Sequence, residues 1–248
     1  MNNKVEFSLH FVTCASDLGV LQTRLLASPC LRSGAYELAA FFNARSAAQG
    51  FNSVTPARGV DAAANCWLVW VHQDVYLPDG WDGLFLAALE QALERFPKLA
   101  VAGVYGMVGA GQAARRVGHV LDRGALLQED APLPSLVDSL DELLVAVRMD
   151  SGLSLDPALG FDFYATDLVL QAQARGLQCA VVDACCEHWS ATPSTGAVAS
   201  SVVQRIKKSA AVFEAKWAQR LPITTPCFTI ASPGDVATFI DSIVTAVP

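Results

Sequence analysis

Two histidines and a few aspartates stand where this chain could act on an anionic, oxygen-rich ligand. His72, Gln73 and Asp74 come directly after the run Cys66-Trp67-Leu68-Val69-Trp70-Val71. A short uncharged run of this kind, without alternation, reads as a strand buried on both faces of a sheet. Residues two apart on a strand point the same way, so His72 and Asp74 can face one ligand. The carboxyl end of a strand is also where open α/β sheets place their ligands. A carboxylate with an imidazole suits a divalent cation such as Mn2+, with a diphosphate supplying further oxygens. The competing reading makes Asp74 a cap for the turn at Pro78-Asp79-Gly80 and His72 a satisfied core histidine. Spacing alone leaves both open.

His188 ends a second apolar run, Cys179 to Ala184, and gives a possible further ligand. The adjacent Cys185 and Cys186 lack the spacing of a structural zinc site. Asp167 opens a helical stretch that runs to about Arg175 and stops at Gly176. It is either a general base or an N-cap, and spacing does not separate the two. Ala191 to Ser201 is a Ser/Thr/Gly/Pro-rich loop after His188, expected to close as a lid over a bound ligand. The helix after it carries Arg205, Lys207 and Lys208, which could reach a diphosphate.

The elements that must position these residues are set by periodicity. Val5, Phe7, Leu9 and Phe11 alternate with polar residues, a strand signature, and lead into the small, polar Thr13-Cys14-Ala15-Ser16-Asp17. Such a segment lets a ligand approach the backbone. Gly34 to Gly50 has helical spacing through Leu38, Phe41 and Phe42 and carries Arg45, Ser46 and Gln49. An amphipathic helix is expected from about Asp82 to Arg95, stopped by Pro97. Leu99 to Val108 reads as a second buried strand, and Leu136 to Arg148 holds another, with Asp138 and Asp141 near its start. Strands alternating with helices predict an α/β fold with a mostly parallel central sheet.

Gly109-Ala110-Gly111-Gln112-Ala113-Ala114 fits the GxGxxA pattern, with Glu129 at about the distance an NAD-dependent oxidoreductase would want. The pattern should open a helix, yet Gly118 and Gly124 interrupt the residues after it, so a Gly-rich loop is the better reading.

Bulk composition narrows the rest. A chain of 248 residues, 52% hydrophobic and 17% charged, can bury a large core and is not disordered. A net charge of −7 argues against a nucleic-acid surface, which needs clustered Lys and Arg. No stretch reads as a membrane span, and Glu6, Ser8 and His10 break up any secretory signal. Seven cysteines without a CxxC pair read as reduced thiols of a cytoplasmic protein.

Several of these segments together resemble a known family. HQDVYLPDGW, then VDSLDELLVAVRMD, then LDPALGFDFYATDLVLQAQARGLQCAVVDACCEHWS are similar to the family-2-type, StrF-like glycosyltransferases, over Val69 to Ser190. The resemblance implies a GT-A fold in one domain: a nucleotide-binding donor half over 1–120, an acceptor half over 121–220 and a C-terminal tail over 221–248. It implies transfer of a sugar from a nucleotide-diphospho-sugar, UDP-linked, to a hydroxyl acceptor, with Mn2+ or Mg2+. Asp74 and His188 would then hold the metal, and His72 would stand near the ribose. Asp141 would line the sugar–acceptor region, and Asp167 would be the base. Thr13, Cys14, Ala15 and Asp17 would meet the nucleobase, while Arg45, Ser46 and Gln49 would face the donor. Thr166 replaces an acidic partner beside the base, which leaves room for a degenerate protein that binds nucleotide without transfer. The QxxRW motif is absent after the base, which argues against a processive enzyme. Inversion at the sugar is implied if the family-2 likeness holds.

Overall fold

The computed structural model describes residues 7–57, 65–189 and 199–245. The first half of the chain contributes β1 (Ser8–Ala15), α1 (Leu18–Thr23), α2 (Pro29–Arg32), β2 (Leu38–Phe42), α3 (Ala47–Ala57), β3 (Cys66–Val71), β4 (Val75–Tyr76) and α4 (Trp81–Arg95). Next come β5 (Leu99–Gly103), β6 (Tyr105–Val108), β7 (Arg115–Asp122), β8 (Ala125–Gln128), β9 (Ser135–Leu136), β10 (Ser139–Leu140) and β11 (Leu144–Arg148). The chain continues with α5 (Tyr164–Ala174), β12 (Gln178–Val181), β13 (Glu187–His188), α6 (Ser200–Lys216), β14 (Ile223–Thr224), β15 (Thr229–Ile230) and α7 (Asp235–Thr245).

A seven-stranded sheet in the order β2-β1-β3-β11-β5-β12-β9 forms the centre. All six residues of β3 are buried, as its unbroken apolar run requires. Alternate residues of β3 divide between two cores: Trp67, Val69 and Val71 on one face, Leu68 and Trp70 on the other. Trp81, Phe85 and Leu89 of α4 cover the first face, and Phe51 of α3 with Tyr164 and Leu168 of α5 cover the second. Leu68 is fully buried in that packing.

The structure corrects the expected topology in three places. The sheet is mixed rather than mostly parallel: β1 pairs in parallel with β2 and β3, and β12 with β5, but β11 runs antiparallel to both of its neighbours. Leu38 to Phe42 is a strand, not a helix, because its two phenylalanines pair in parallel along Cys14 and Ala15 of β1. Leu99 to Val108 is two strands in two sheets, broken at Val104, with β6 joining the order β10-β6-β7-β13-β4.

Gly109 to Ala114 leads through a short 3-10 turn into strand β7, so the glycines do not open a helix and the dinucleotide pattern has no phosphate-binding helix end. Within β7, Gly118 has φ +92° and lies so close to the break between β5 and β6 that an added Cβ would come within 2.1 Å of the Val104 carbonyl oxygen. Among the described residues no helix is long and apolar enough to cross a membrane. All seven cysteines are free thiols.

Candidate metal centre and cavity

Strand register assembles the site. β13 pairs antiparallel with β4, setting His188 opposite Val75, and parallel with β7, setting His188 beside Asp122. The backbone N–H of Trp189 donates to the Asp74 carbonyl at 3.0 Å. His188 thus lands next to Asp74 although 114 positions separate them in the sequence. His72 comes just after β3, and its backbone N–H donates to the Leu143 carbonyl at 2.9 Å. His72, Asp74 and His188 each present a ligand atom, and these atoms lie within 4.8 Å of one another. The Asp74 Oδ1 is 3.9 Å from His72 Nδ1 and 3.6 Å from His188 Nε2. His72 therefore stands with the other two as a potential metal ligand, as its spacing from Asp74 allows, whereas the family resemblance sets it near the ribose and leaves the metal to Asp74 and His188.

Electrostatics separates the two rings. Burial lowers the His72 pKa to about 4, outweighing the nearby Asp74 charge, so this ring is neutral near pH 7. His72 is about one-third exposed, but it opens onto the adjoining cavity, where the surrounding protein still desolvates it. For His188, burial also acts to lower the pKa, but the hydrogen bond and charge of Asp74, with Asp141 and Asp122, outweigh it and raise the value. Burial would raise Asp74, yet the two histidines hold it below the usual carboxylate range. A proton on His188 and a divalent cation are thus alternative ways to neutralise the same carboxylate. The donor set fits a metal: one carboxylate and two imidazoles converging on a common point.

The cluster opens on a cavity of about 470 Å3 whose walls include Asp122, Asp141, Glu142, Asp162, Thr166 and Arg205. Asp162 is held by Arg205, which donates to both of its oxygens at 3.0 Å, and by Ser209 at 3.1 Å. Asp141 accepts from the Leu143 N–H at 3.1 Å, and burial raises its pKa. Glu142 differs from both, because its Oε1 is sealed from solvent and has no hydrogen-bond partner. Burial, with the charges of Asp162 and Asp141, raises its pKa well above the ordinary value.

Other expected site residues fall elsewhere. Thr13, Cys14 and Ala15 are part of β1 rather than a polar loop after it, and Thr13 is fully buried with an unpartnered hydroxyl. Asp17 caps α1 by accepting from the Val20 N–H at 3.0 Å. Gln73 reaches across to this segment, accepting from the N–H groups of Ser16 and Asp17 at 2.9 and 3.0 Å. Ser46 and Gln49 cap the start of α3: the Gln49 N–H donates to Ser46 Oγ at 3.2 Å and Gln49 Oε1 accepts from the N–H of Arg45, one residue before the cap, at 2.8 Å. Their S-x-x-Q spacing carries that signal in the sequence. None of these residues lines the cavity.

Asp167 is corrected by its surroundings. Helix α5 begins earlier than expected, with Phe163 at its N-cap, so Asp167 lies inside the first turn and is fully buried. Its carboxylate takes Lys216 Nζ and Trp217 Nε1 at 2.8 Å each and Gln171 Nε2 at 2.6 Å. A carboxylate so engaged, outside the cavity wall, joins α5 to α6 and has no free oxygen for a substrate proton. Removing one member of a buried ion pair is costly, so Asp167→Ala should lose about 3 kcal/mol of stability in chemical denaturation. Divalent-ion affinity should be unchanged in the folded variant, and a loss there would return Asp167 to the site.

Lys207 is paired with Asp241 and Lys208 is exposed, and neither lines the cavity. Arg205 is the basic residue that α6 delivers there instead, since one face of a helix cannot present positions 205, 207 and 208 together. Most of the expected lid, residues 191–198, lies outside the described residues, and Ser200 and Ser201 already belong to α6. Asp122, Glu142, Asp162 and Tyr164 are the cavity and cluster residues that sequence reasoning leaves without a site role of their own.

No family model matches the chain. It is similar to the protein described as ATP synthase subunits region ORF 6 of Fuscovulum blasticum, 31% identical over 161 residues, covering 61% of this chain and 60% of that one. The match therefore spans less than two thirds of the relative. Among solved structures, A197 from STIV aligns over 72% of this chain and 83% of its own at 10% identity, with a TM-score of 0.42. The inositol-1-phosphate CTP transferase from T. maritima aligns over 81% and 95% at 12% identity, with a TM-score of 0.33. Likenesses this distant carry neither fold nor activity to this chain, so the chemistry rests on the cluster and its cavity.

Proposed function

We propose that the protein is a metal-dependent GT-A glycosyltransferase that moves a sugar from a nucleotide-diphospho-sugar, UDP-linked, to a hydroxyl acceptor. The observation that carries this reading is the convergence of His72, Asp74 and His188 beside an acidic cavity that both histidines line. With Asp122, Asp141, Glu142 and Asp162 around it, that cavity would repel a bare diphosphate. A cation held by His72, Asp74 and His188 would reverse the local field and act as a Lewis acid on the leaving diphosphate. Arg205 gives a further positive group, while Lys207 and Lys208 are left outside. The nucleoside would lie toward the carboxyl end of β1, over Thr13 to Asp17, with Gln73 joining that edge to the cluster and Arg45, Ser46 and Gln49 beside it. Asp141 would meet the sugar. The role of base, expected of Asp167, passes to Glu142, a carboxylate in the cavity wall that no cation among the described residues pairs.

A second reading, nucleotide binding without transfer, draws on one observation. The start of α5 offers no free carboxylate, with Thr166 neutral and Asp167 engaged. Calorimetric titration with UDP should give binding that requires Mn2+ and vanishes in EDTA, with no heat from NAD. A panel of UDP-sugars assayed for release of UDP then separates transfer from binding alone. Metal-independent UDP binding, or NAD binding in its place, would overturn the proposal.

A further inference from the structure

One hydroxyl decides which nitrogen of His72 is bare. Tyr164, 1% exposed, takes a hydrogen bond from Trp70 Nε1 at 2.9 Å and lies 2.9 Å from the Glu142 carbonyl and 2.7 Å from His72 Nε2. An indole N–H only donates and a carbonyl only accepts. The single hydroxyl hydrogen therefore goes to Glu142, and the remaining lone pair of Tyr164 takes a hydrogen from His72. That places the His72 proton on Nε2 and leaves Nδ1 unprotonated toward Asp74, 3.9 Å away. The second ring is set in the same manner by a different partner. His188 Nδ1 meets Asp122 Oδ1 at 3.0 Å, which keeps hydrogen on Nδ1 and turns Nε2 toward the same Asp74 oxygen at 3.6 Å.

Two ring nitrogens and one carboxylate oxygen thus face one another from separate elements, each ring fixed from behind, and a cation would take the place of the proton between His188 and Asp74. Hard ions such as Mg2+ take oxygen ligands, whereas imidazole favours zinc, cobalt and their neighbours. We propose that His72, Asp74 and His188 form a nitrogen-rich centre selective for borderline transition ions over Mg2+, with Tyr164 and Asp122 as its positioning residues. The inference rests on the same cluster as the transfer reading and narrows its metal. Zn2+ and Co2+ bind most tightly, Mn2+ less so, and Mg2+ least, in the general order for nitrogen-containing sites.

The experiment uses the full chain and the metals alone. ZnCl2, CoCl2, MnCl2 and MgCl2 are titrated calorimetrically at neutral pH, and the Co2+ complex is inspected for thiolate charge transfer. Zn2+ is expected to bind at least about 100-fold more tightly than Mg2+. The Co2+ spectrum should lack thiolate bands, which excludes a site on Cys185 or Cys186. Tyr164→Phe keeps the ring and removes the hydroxyl, and Asp122→Asn keeps the shape and lets its amide reverse the His188 tautomer. Each should weaken Zn2+ by about 10- to 100-fold, the usual effect of losing an outer partner of a histidine ligand. Thermal unfolding shows that the variants are folded, and Asp122→Asn, at the end of a surface hairpin, stands in should Tyr164→Phe fail to fold. Comparable Zn2+ and Mg2+ affinities, thiolate bands, or a folded variant with unaltered Zn2+ affinity would overturn the inference. Failure of UDP to bind would sink the transfer reading and leave the metal ranking standing.

Discussion

Asp74→Ala should remove the metal-dependent part of UDP binding and lower divalent-ion affinity by more than about 100-fold, beyond the loss of an outer partner. Asp74 is the one anionic member of the cluster, and both histidine nitrogens approach the same oxygen of it. The strand frame should survive, because the bond from Trp189 to residue 74 is made by its backbone carbonyl. A signature in the metal-free protein accompanies the loss. Burial lowers the His188 pKa and Asp74 is the foremost of the groups that outweigh it, so the His188 titration seen by NMR should move down in the variant. The raised His188 pKa stabilises the metal-free wild type fully below the ordinary value of 6.5, and that increment is lost as pH rises through the folded value. Asp74→Ala should lack this pH dependence. Undiminished Mn2+ affinity in a folded variant would place the metal elsewhere.

The sequence makes the strand ends legible and leaves what lies behind them hidden. The unbroken apolar run of β3 has only one stable environment, a sheet covered on both faces, so the polar pair at its end is readable. His188 is readable for the same reason. Leu38 to Phe42 misleads because a short apolar run fits a helix or a strand equally, and only the edge of β1 decides between them. Asp122 and Tyr164 cannot be found from spacing. They matter because β13 lies beside β7, and because α5 sets a hydroxyl between Trp70, His72 and the Glu142 backbone, contacts spanning 22 to 94 positions in sequence. Asp167 shows the converse. A carboxylate in the first turn of a helix suits a base or a counter-ion, and Lys216, on a different helix, makes the difference.

Glu142→Gln should lower UDP-sugar hydrolysis or transfer by about 100- to 10,000-fold, the range for a lost general base, while leaving UDP affinity nearly unchanged. Glu142 is half-buried as a residue, yet its Oε1 is fully enclosed and unpartnered, whereas the Asp162 oxygens are taken by Arg205 and Ser209. In the proposed step an acceptor hydroxyl in the cavity passes its proton to the Glu142 carboxylate as its oxygen bonds to the anomeric carbon. The bond from that carbon to the diphosphate breaks, and the diphosphate leaves with the electron pair. Burial, then the charges of Asp162 and Asp141, raise the Glu142 pKa, and a base needs a pKa close to its working pH. The rate should therefore rise with pH through the folded value. Stability moves the opposite way: the protonated carboxyl is fully tolerated below the ordinary value of 4.5, and stability is lost as pH rises through the raised value. Glu142→Gln stays neutral, so denaturation at several pH values should find its stability flat where the wild type declines. Should the variant keep full turnover, Glu142 is not the base. Should it gain pH-independent stability while neither protein turns over any UDP-sugar, Glu142 is a neutral wall of a binding cavity, and the reading of nucleotide capture without transfer takes precedence.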